Sequence, residues 1–170
     1  MTIGFRRLAE IDLPLLHEWL QREHVRFWWR DRESYDAVVQ HYLPAIEGSD
    51  PTDLYLILVD DRPAGFIQTY LVSDYSDYQA LVGVEEGVAG VDLFLADPEQ
   101  TGKGLGSRVI AQFVRDVVFV APQTHACIAD PDAENQGSLR AFEKAGFTRV
   151  RDFVDPTDDN RLHTLIRIER

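Results

Sequence analysis

The 170-residue sequence holds a single cysteine, Cys127. No disulfide can form within the chain, so its stability has to come from packing, and an oxidising compartment is not implied. Long apolar runs are missing too. No stretch approaches the roughly 20 apolar residues that a membrane helix needs. Met1 to Glu10 carries Arg6, Arg7 and Glu10 and lacks the apolar centre of a signal peptide. These absences predict a cytoplasmic protein with no membrane partner. Positive charge is scarce: 17 Lys and Arg face 29 Asp and Glu, for a net charge of −12, and only Lys103 and Lys144 are lysines. Affinity for a phosphate backbone comes mainly from Lys and Arg, so a nucleic-acid partner is disfavoured and a polycationic one favoured. No internal repeat, low-complexity tract or linker interrupts the chain.

What is present is the composition of a folded globule, 45% hydrophobic with nine Phe, six Tyr and three Trp, at a length that predicts one domain, 1–170. Leu15, Leu16, Trp19 and Leu20 form a helical stripe that Asp12 can cap. Tyr35, Val38, Val39, Tyr42, Leu43 and Ile46 form a second stripe, with Ser34 as cap and Gly48 as stop. Phe27-Trp28-Trp29 lies in the segment between them. Leu54 to Val59 and Gly65 to Val72 read as a hairpin around Asp60-Asp61-Arg62-Pro63-Ala64. Ser73 to Gly87 reads as a loop. Val88 to Ala96 is a strand in which Gly90 marks a bulge or a close backbone approach. A helix over 104–119, a strand over 124–129, a helix over 134–144 and two final strands, 147–154 and 162–168, complete an α+β order with a mixed sheet.

The sharpest local signal is Gln100-Thr101-Gly102-Lys103-Gly104-Leu105-Gly106-Ser107, placed between a strand and a helix. Glycines there let backbone N–H groups converge on one point, and the helix N-terminus adds positive partial charge, so an anion fits. From Gln100 to Arg115 there are three basic residues and no acid. The spacing is neither the P-loop nor the dinucleotide fingerprint. Gln-x-x-Gly-x-Gly, followed by Asn135 and by Ala141-Phe142-Glu143-Lys144-Ala145-Gly146-Phe147, resembles the GCN5-related N-acetyltransferase (GNAT) superfamily. Over nearly the whole chain the sequence looks like the aminoglycoside 6′-N-acetyltransferases of the Ib type. Glu18-Trp19-Leu20, Trp28-Trp29, Gln40 to Pro44, Gly65 to Tyr70, Gly87 to Asp92, Asp130-Pro131 and Glu143 to Phe147 carry that likeness.

The resemblance implies a mostly antiparallel central sheet flanked by helices, with a splayed strand pair that binds acetyl-coenzyme A. It implies cofactor contacts at Leu93, Leu95, Gln100, Thr101, Gly102, Lys103, Gly104, Leu105, Gly106, Ser107, Asn135, Phe142 and Lys144, and acceptor contacts at Trp28, Trp29, Gln68, Tyr70, Asp92 and Asp130. The acceptor it implies is a polycationic amine, most closely the 6′-amine of an aminoglycoside, and a monomer or homodimer is expected. Lysine- or siderophore-type acyltransferases, and a non-catalytic acyl-CoA-binding domain, are the alternatives.

The chemistry asks for a group that takes a proton, because an alkylammonium of pKa about 10 arrives unreactive. Asp92, between Val91 and Leu93-Phe94-Leu95, matches the acid that binds or deprotonates the amine in the resembled enzymes. The alternative is a solvent-facing or arginine-paired carboxylate, although an acid in an apolar strand needs a partner. Asp130 matches a second acceptor-binding acid, and Asp130-Pro131-Asp132 also reads as a loop or helix cap. Tyr70 also reads as a strand aromatic, and at least one of Trp28 and Trp29 as core. One departure stands out: many of these enzymes have a tyrosine at the position of Phe142, whose phenol protonates the leaving thiolate, a type of assistance that contributes about 10² to 10⁴-fold. Cys127 reads as a buried thiol rather than a nucleophile, and no histidine spacing suggests a metal.

Overall fold

The computed structural model describes residues 1–30 and 34–170. It begins with a strand, β1 (Ile3–Arg7), where the sequence reading begins with a helix. Five residues containing Gly4 and the pair Arg6-Arg7 carry too little alternation to announce themselves. β1 exists through antiparallel pairing with β2 (Asp53–Val59), from Ile3↔Val59 to Arg7↔Tyr55. Helix α1 (Leu13–Gln21) buries Leu13, Leu16, Trp19 and Leu20. Asp12 does not cap it. A 3₁₀ turn, Glu10–Asp12, feeds straight into the helix, and the Asp12 carboxylate accepts from the Ala9 N–H at 2.9 Å and from Arg6 at 2.9 and 3.0 Å.

A short helix, α2 (Glu23–Arg26), follows. Helix α3 (Tyr35–Glu47) ends as its sequence predicts: Ser34 Oγ accepts from the Ala37 N–H at 3.0 Å, and Gly48 closes the helix at φ +83°. β2 turns into β3 (Arg62–Leu71) through Asp60 and Asp61 alone, both left-handed at φ 49° and 63°. That pair is the mark of a tight two-residue hairpin, so Arg62 to Ala64, expected as turn, belong to β3.

The stretch expected as a loop contains helix α4 (Ser76–Val82). It has no side-chain cap at its start, and a contact distant in sequence finishes it: Arg151 Nη2 donates to the carbonyls of Leu81 at 2.9 Å and Val82 at 3.1 Å, beside Gly83 at φ +69°. Such carbonyls at a helix end otherwise lack partners. β4 (Val88–Leu95), α5 (Leu105–Phe113), β5 (Ala126–Ala129), α6 (Gln136–Lys144), β6 (Thr148–Asp155) and β7 (Arg161–Glu169) follow the expected order. A turn of π-helix, Val114–Val118, extends α5.

The seven strands make one mixed sheet in the order β1-β2-β3-β4-β5-β7-β6. β4 and β5 are parallel; β1–β2, β5–β7 and β6–β7 are antiparallel. The β4–β5 register covers Val88↔Ala126, Ala89↔Cys127 and Gly90↔Ile128. Among the described residues that parallel ladder ends at Gly90↔Ile128, one residue before β5 itself ends, while β4 continues to Leu95.

The chain groups into two compact units, Met1–Gln68 with Leu93–Gln100, and Thr69–Asp92 with Thr101–Arg170, so β3 and β4 run through both. In the first unit Leu13, Leu16, Trp19, Leu20, Val38, Tyr42, Leu56, Phe66 and Phe94 share a core. In the second, Val72, Val82, Val88, Ala126, Ile128, Phe153 and Leu165 share another. Each buried Val, Leu, Ile or Phe among them contributes about 1.5 to 3 kcal/mol by leaving water.

Candidate active site

In the second unit the end of β3, the first part of β4, helix α4 and the end of β5 bring together a dense set of phenols and carboxylates. Gly90 supplies the room. A Cβ there would lie 2.5 Å from the Tyr70 ring, so the close approach that a strand glycine signals is the approach of Tyr70. The neighbouring Thr69 hydroxyl donates to the Gly90 carbonyl at 2.9 Å. The Tyr70 ring meets Tyr75 at 5.5 Å and Tyr78 at 6.1 Å between centroids, and a side-chain hydrogen bond joins the Tyr70 and Tyr78 phenols. Tyr78 then donates to Asp130 Oδ1 at 2.5 Å.

Asp92 is half-buried in β4, close enough for its charge to act on both Tyr70 and Cys127. Burial pushes the Tyr70 phenol well above its ordinary value, and the charges of Asp92 and Asp130 push it the same way. Burial does the same to Tyr78, reinforced by Tyr70 and Asp130. Both phenols are therefore neutral hydroxyls at any physiological pH. Burial, with Asp92 adding to it, also raises the Cys127 thiol, which is fully buried; the thiolate a nucleophile would need is suppressed.

Asp130 is held from its other side by His163. The His163 Nδ1–H is shared between the Asp130 carbonyl at 2.7 Å and Asp130 Oδ2 at 3.0 Å, and Nε2–H donates to Asp158 Oδ2 at 2.8 Å. With acceptors at both ring nitrogens, the ring must carry both protons. Burial alone would lower the His163 pKa, but the bonds to Asp130 and Asp158 outweigh it and bring it up to about 9. Asp155 lies nearby, its ligand atom and those of Asp130 and His163 all within 4.8 Å of one another. A doubly protonated imidazole offers no lone pair to a cation, so this grouping works as an ion-pair cluster.

The glycine loop also lies mostly in this unit. Gly102 and Gly104 have φ +74° and +82°, and among the described residues a Cβ on either would meet nothing within 4 Å. Their role is conformational: the left-handed turns aim backbone groups at the start of α5. The first turn of α5 has no acidic residue. Ser107 Oγ donates to the Gly104 carbonyl at 2.9 Å, and Lys103 is exposed. Leu105 is buried, and Gly106 would bring a Cβ to 3.6 Å of Ala141 on α6, so these two serve helix packing. Asn135, expected at the cofactor, caps α6 through Oδ1, which accepts from the Ser138 N–H at 3.1 Å. Lys144 is exposed at the far end of that helix. Phe142 is buried edge-to-face against Phe147, with 5.0 Å between ring centroids.

The remaining expected residues belong to the first unit. Trp29 packs on the core, 5.9 Å from Phe66 and 5.2 Å from Phe94, whereas Trp28 stacks edge-on with the exposed Phe27 at 4.7 Å. Gln68 and Leu93 are half-buried and Leu95 is buried. The Leu95 carbonyl accepts from His24 Nε2 at 2.9 Å and the Ala96 carbonyl from Arg22 at 2.7 Å; these two side chains, which sequence reasoning missed, pin the end of β4. Gln100 Oε1 is buried, and among the described residues it accepts no hydrogen bond. An orphaned buried acceptor calls for an N–H donor, and the amides of a pantetheine arm are such donors.

Sequence reasoning also missed Tyr78, His163 and Asp158. Tyr78 sat in a supposed loop. A lone histidine within the apolar run Leu162 to Ile168 was the available signal for His163.

Residues 9–154 match the family model described as acetyltransferase (GNAT) domain. The chain is 32% identical over 158 residues to aminoglycoside N(6′)-acetyltransferase type 1 of Klebsiella pneumoniae, covering 91% of this chain and 78% of the relative. It is 24% identical over 148 residues to the lysine N-acyltransferase MbtK of Mycobacterium tuberculosis, covering 84% and 67%. The structure of aminoglycoside acetyltransferase AAC(6′)-Ib in complex with coenzyme A and kanamycin superposes with a TM-score of 0.89 at 29% identity, over 99% of this chain and 95% of that one. A glycine loop opening a helix, a parallel pairing of β4 with β5, and a match over most of the length agree: the chain belongs to the GNAT family of acetyltransferases.

Proposed function

We propose that the protein transfers the acetyl group of acetyl-CoA to an amine of a polycationic small molecule, the 6′-amine of aminoglycoside antibiotics, and thereby confers resistance. The observation that carries this reading is the gathering of Asp92 and Asp130 around neutral phenols: a half-buried, negatively charged wall suits an acceptor bearing several ammonium groups. The similarity to aminoglycoside N(6′)-acetyltransferases supports the 6′ position. The reaction runs in the cytoplasm, where acetyl-CoA is made, with the chain acting as one acetyltransferase domain, alone or as a homodimer.

Asp92 takes the proton of the acceptor ammonium. The freed nitrogen lone pair attacks the thioester carbon, the C–N bond forms, the C–S bond breaks, and the electron pair leaves on sulfur. Gly102 to Ser107 receive the pyrophosphate on backbone N–H groups at the start of α5. Gln100 Oε1 accepts from an amide of the cofactor. Phe142 donates no proton, so the thiolate takes one from solvent. Asp130, with Tyr70 and Tyr78 beside it, binds a second ammonium of the acceptor.

Thiol release from acetyl-CoA, measured with kanamycin, tobramycin, a free lysine derivative and no acceptor, tests the reading. Turnover with the two aminoglycosides is expected. Turnover with the lysine derivative alone would move the protein to the lysine-acylating branch, and no turnover with any acceptor would make it a binding domain.

A further inference from the structure

We propose that His163 is a positioning residue of the acceptor site: clamped between Asp130 and Asp158, its imidazolium fixes the Asp130 carboxylate in the orientation that receives an acceptor ammonium. The inference rests on the acceptor reading above and adds a residue that no sequence motif marks.

The geometry behind it is specific. Asp130 has two oxygens, and each is bound from a different element: Oδ1 by the Tyr78 hydroxyl of α4 at 2.5 Å, and Oδ2 by His163 Nδ1–H of β7 at 3.0 Å. His163 reaches a third contact on the same residue, the Asp130 carbonyl at 2.7 Å, so backbone and side chain are located together. Two points fix the plane of a carboxylate. Each oxygen retains a lone pair, which leaves room for one further donor apiece.

The charges facing His163 come from every element around it. Asp130 lies at the end of β5, Asp158 in the β6–β7 turn and Asp155 on β6. Asp132 pairs with β7 at His163, and its carboxylate is occupied by Arg161 at 2.8 Å. On β6 the Phe153 ring lies 5.8 Å away, and Asp152 accepts from the Thr164 hydroxyl at 2.7 Å. Arg161 pairs with Asp132 and Glu134, and its charge also acts on Asp158; among the described residues the positive charge paired with Asp130 is that of His163. Side chains of Asp130 and His163 are 12% and 11% exposed, against 29% for Asp158, so Asp158 anchors the clamp at its wet end and Asp130 presents its dry one. Without His163, Asp130 would keep one tether and could rotate about Cβ–Cγ.

Three variants test this: His163→Phe, His163→Gln and Asp158→Asn. In the free protein, an NMR titration of the His163 imidazole should give a pKa near 9 in the wild type and a lower one in Asp158→Asn. A wild-type value near 6.5 would overturn the clamp. In steady-state assays, His163→Phe should raise the KM for kanamycin about tenfold, the size of one lost charge-assisted hydrogen bond, with the KM for acetyl-CoA unchanged. His163→Gln, which restores one donor without charge, should fall between. Equal losses for both substrates, or none for the acceptor, would refute the positioning role and leave His163 a fold element. If wild-type protein turns over no amine acceptor, the functional reading fails and the acceptor role of His163 with it, while the imidazole titration still decides whether the clamp exists.

Discussion

Asp92 and Asp130 are both carboxylates near the same phenols, yet their surroundings give them different work. Asp92 stands half-buried in β4 beyond the end of the parallel ladder, and proton acceptance is the role proposed for it. Replacing it by Asn keeps the shape and removes the proton acceptor, so kcat should fall about 10² to 10⁴-fold in the thiol-release assay; near-normal turnover would move the base elsewhere. Asp130 is tied by Tyr78 and His163, and binding an acceptor ammonium is the role proposed for it. Phe142 fills a buried position against Phe147. Phe142→Tyr should leave kcat unchanged or raise it if the new phenol reaches the leaving sulfur, and a large fall in kcat would mark the ring as packing alone.

The His163 clamp also sets a pH dependence of stability. The folded pKa, about 9, lies above the ordinary 6.5, so folding takes up a proton in this window. The stabilisation is present in full below about pH 6.5 and is lost as pH rises through about 9, an amount on the order of 3 kcal/mol at most. Urea unfolding of the wild type minus that of His163→Phe, followed from pH 6 to pH 10, should show this loss. A constant difference would mean the ring is neutral when folded.

Among the elements, the glycine loop and α4 make opposite cases. Gly102 and Gly104 were legible in the sequence because a left-handed backbone in a strand-to-helix turn has few residues that adopt it. Open space around both means that Gly104→Ala meets no clash and costs only the conformational strain, about 1 to 2 kcal/mol. That strain should appear as a higher KM for acetyl-CoA with the acceptor KM unchanged. α4 was not legible. Seven residues with no capping side chain and a polar start are below the length at which a helix holds itself together. Arg151, some 70 residues later, completes it, and with it the placement of Tyr78. β1 is the same case among strands, a five-residue segment that exists because β2 is there to pair with it.

For the molecule as a whole, the net charge of −12 divides unevenly. Residues 1–90 carry −9 and residues 91–170 carry −3, the latter including the basic segment after Gln100. An acidic protein attracts a polycation over a range set by ionic strength, about 30 Å at 0.01 M salt and about 3 Å at 1 M. The KM for kanamycin should therefore rise steadily across that interval, and a flat response would make the acidity a solvated surface only.

The sequence by itself determined the α+β class, the order of most elements, the glycine loop and the family, because these rest on local periodicity, on turn chemistry and on residues adjacent in the chain. Its family resemblance also marked Asp92, Asp130 and Tyr70 as acceptor-side candidates. Tertiary structure decided which of the named residues are tied to one another: Gly90 yielding space to Tyr70, Asn135 and Phe142 turning inward to cap and core, and His163 closing on Asp130 from another strand. The pairing of His163 with Asp130 joins residues 33 positions apart, and that of Tyr78 with Asp130 residues 52 apart. No local pattern encodes such a contact, because it depends on strand register and on burial, which makes a charge costly until a partner from elsewhere in the chain meets it.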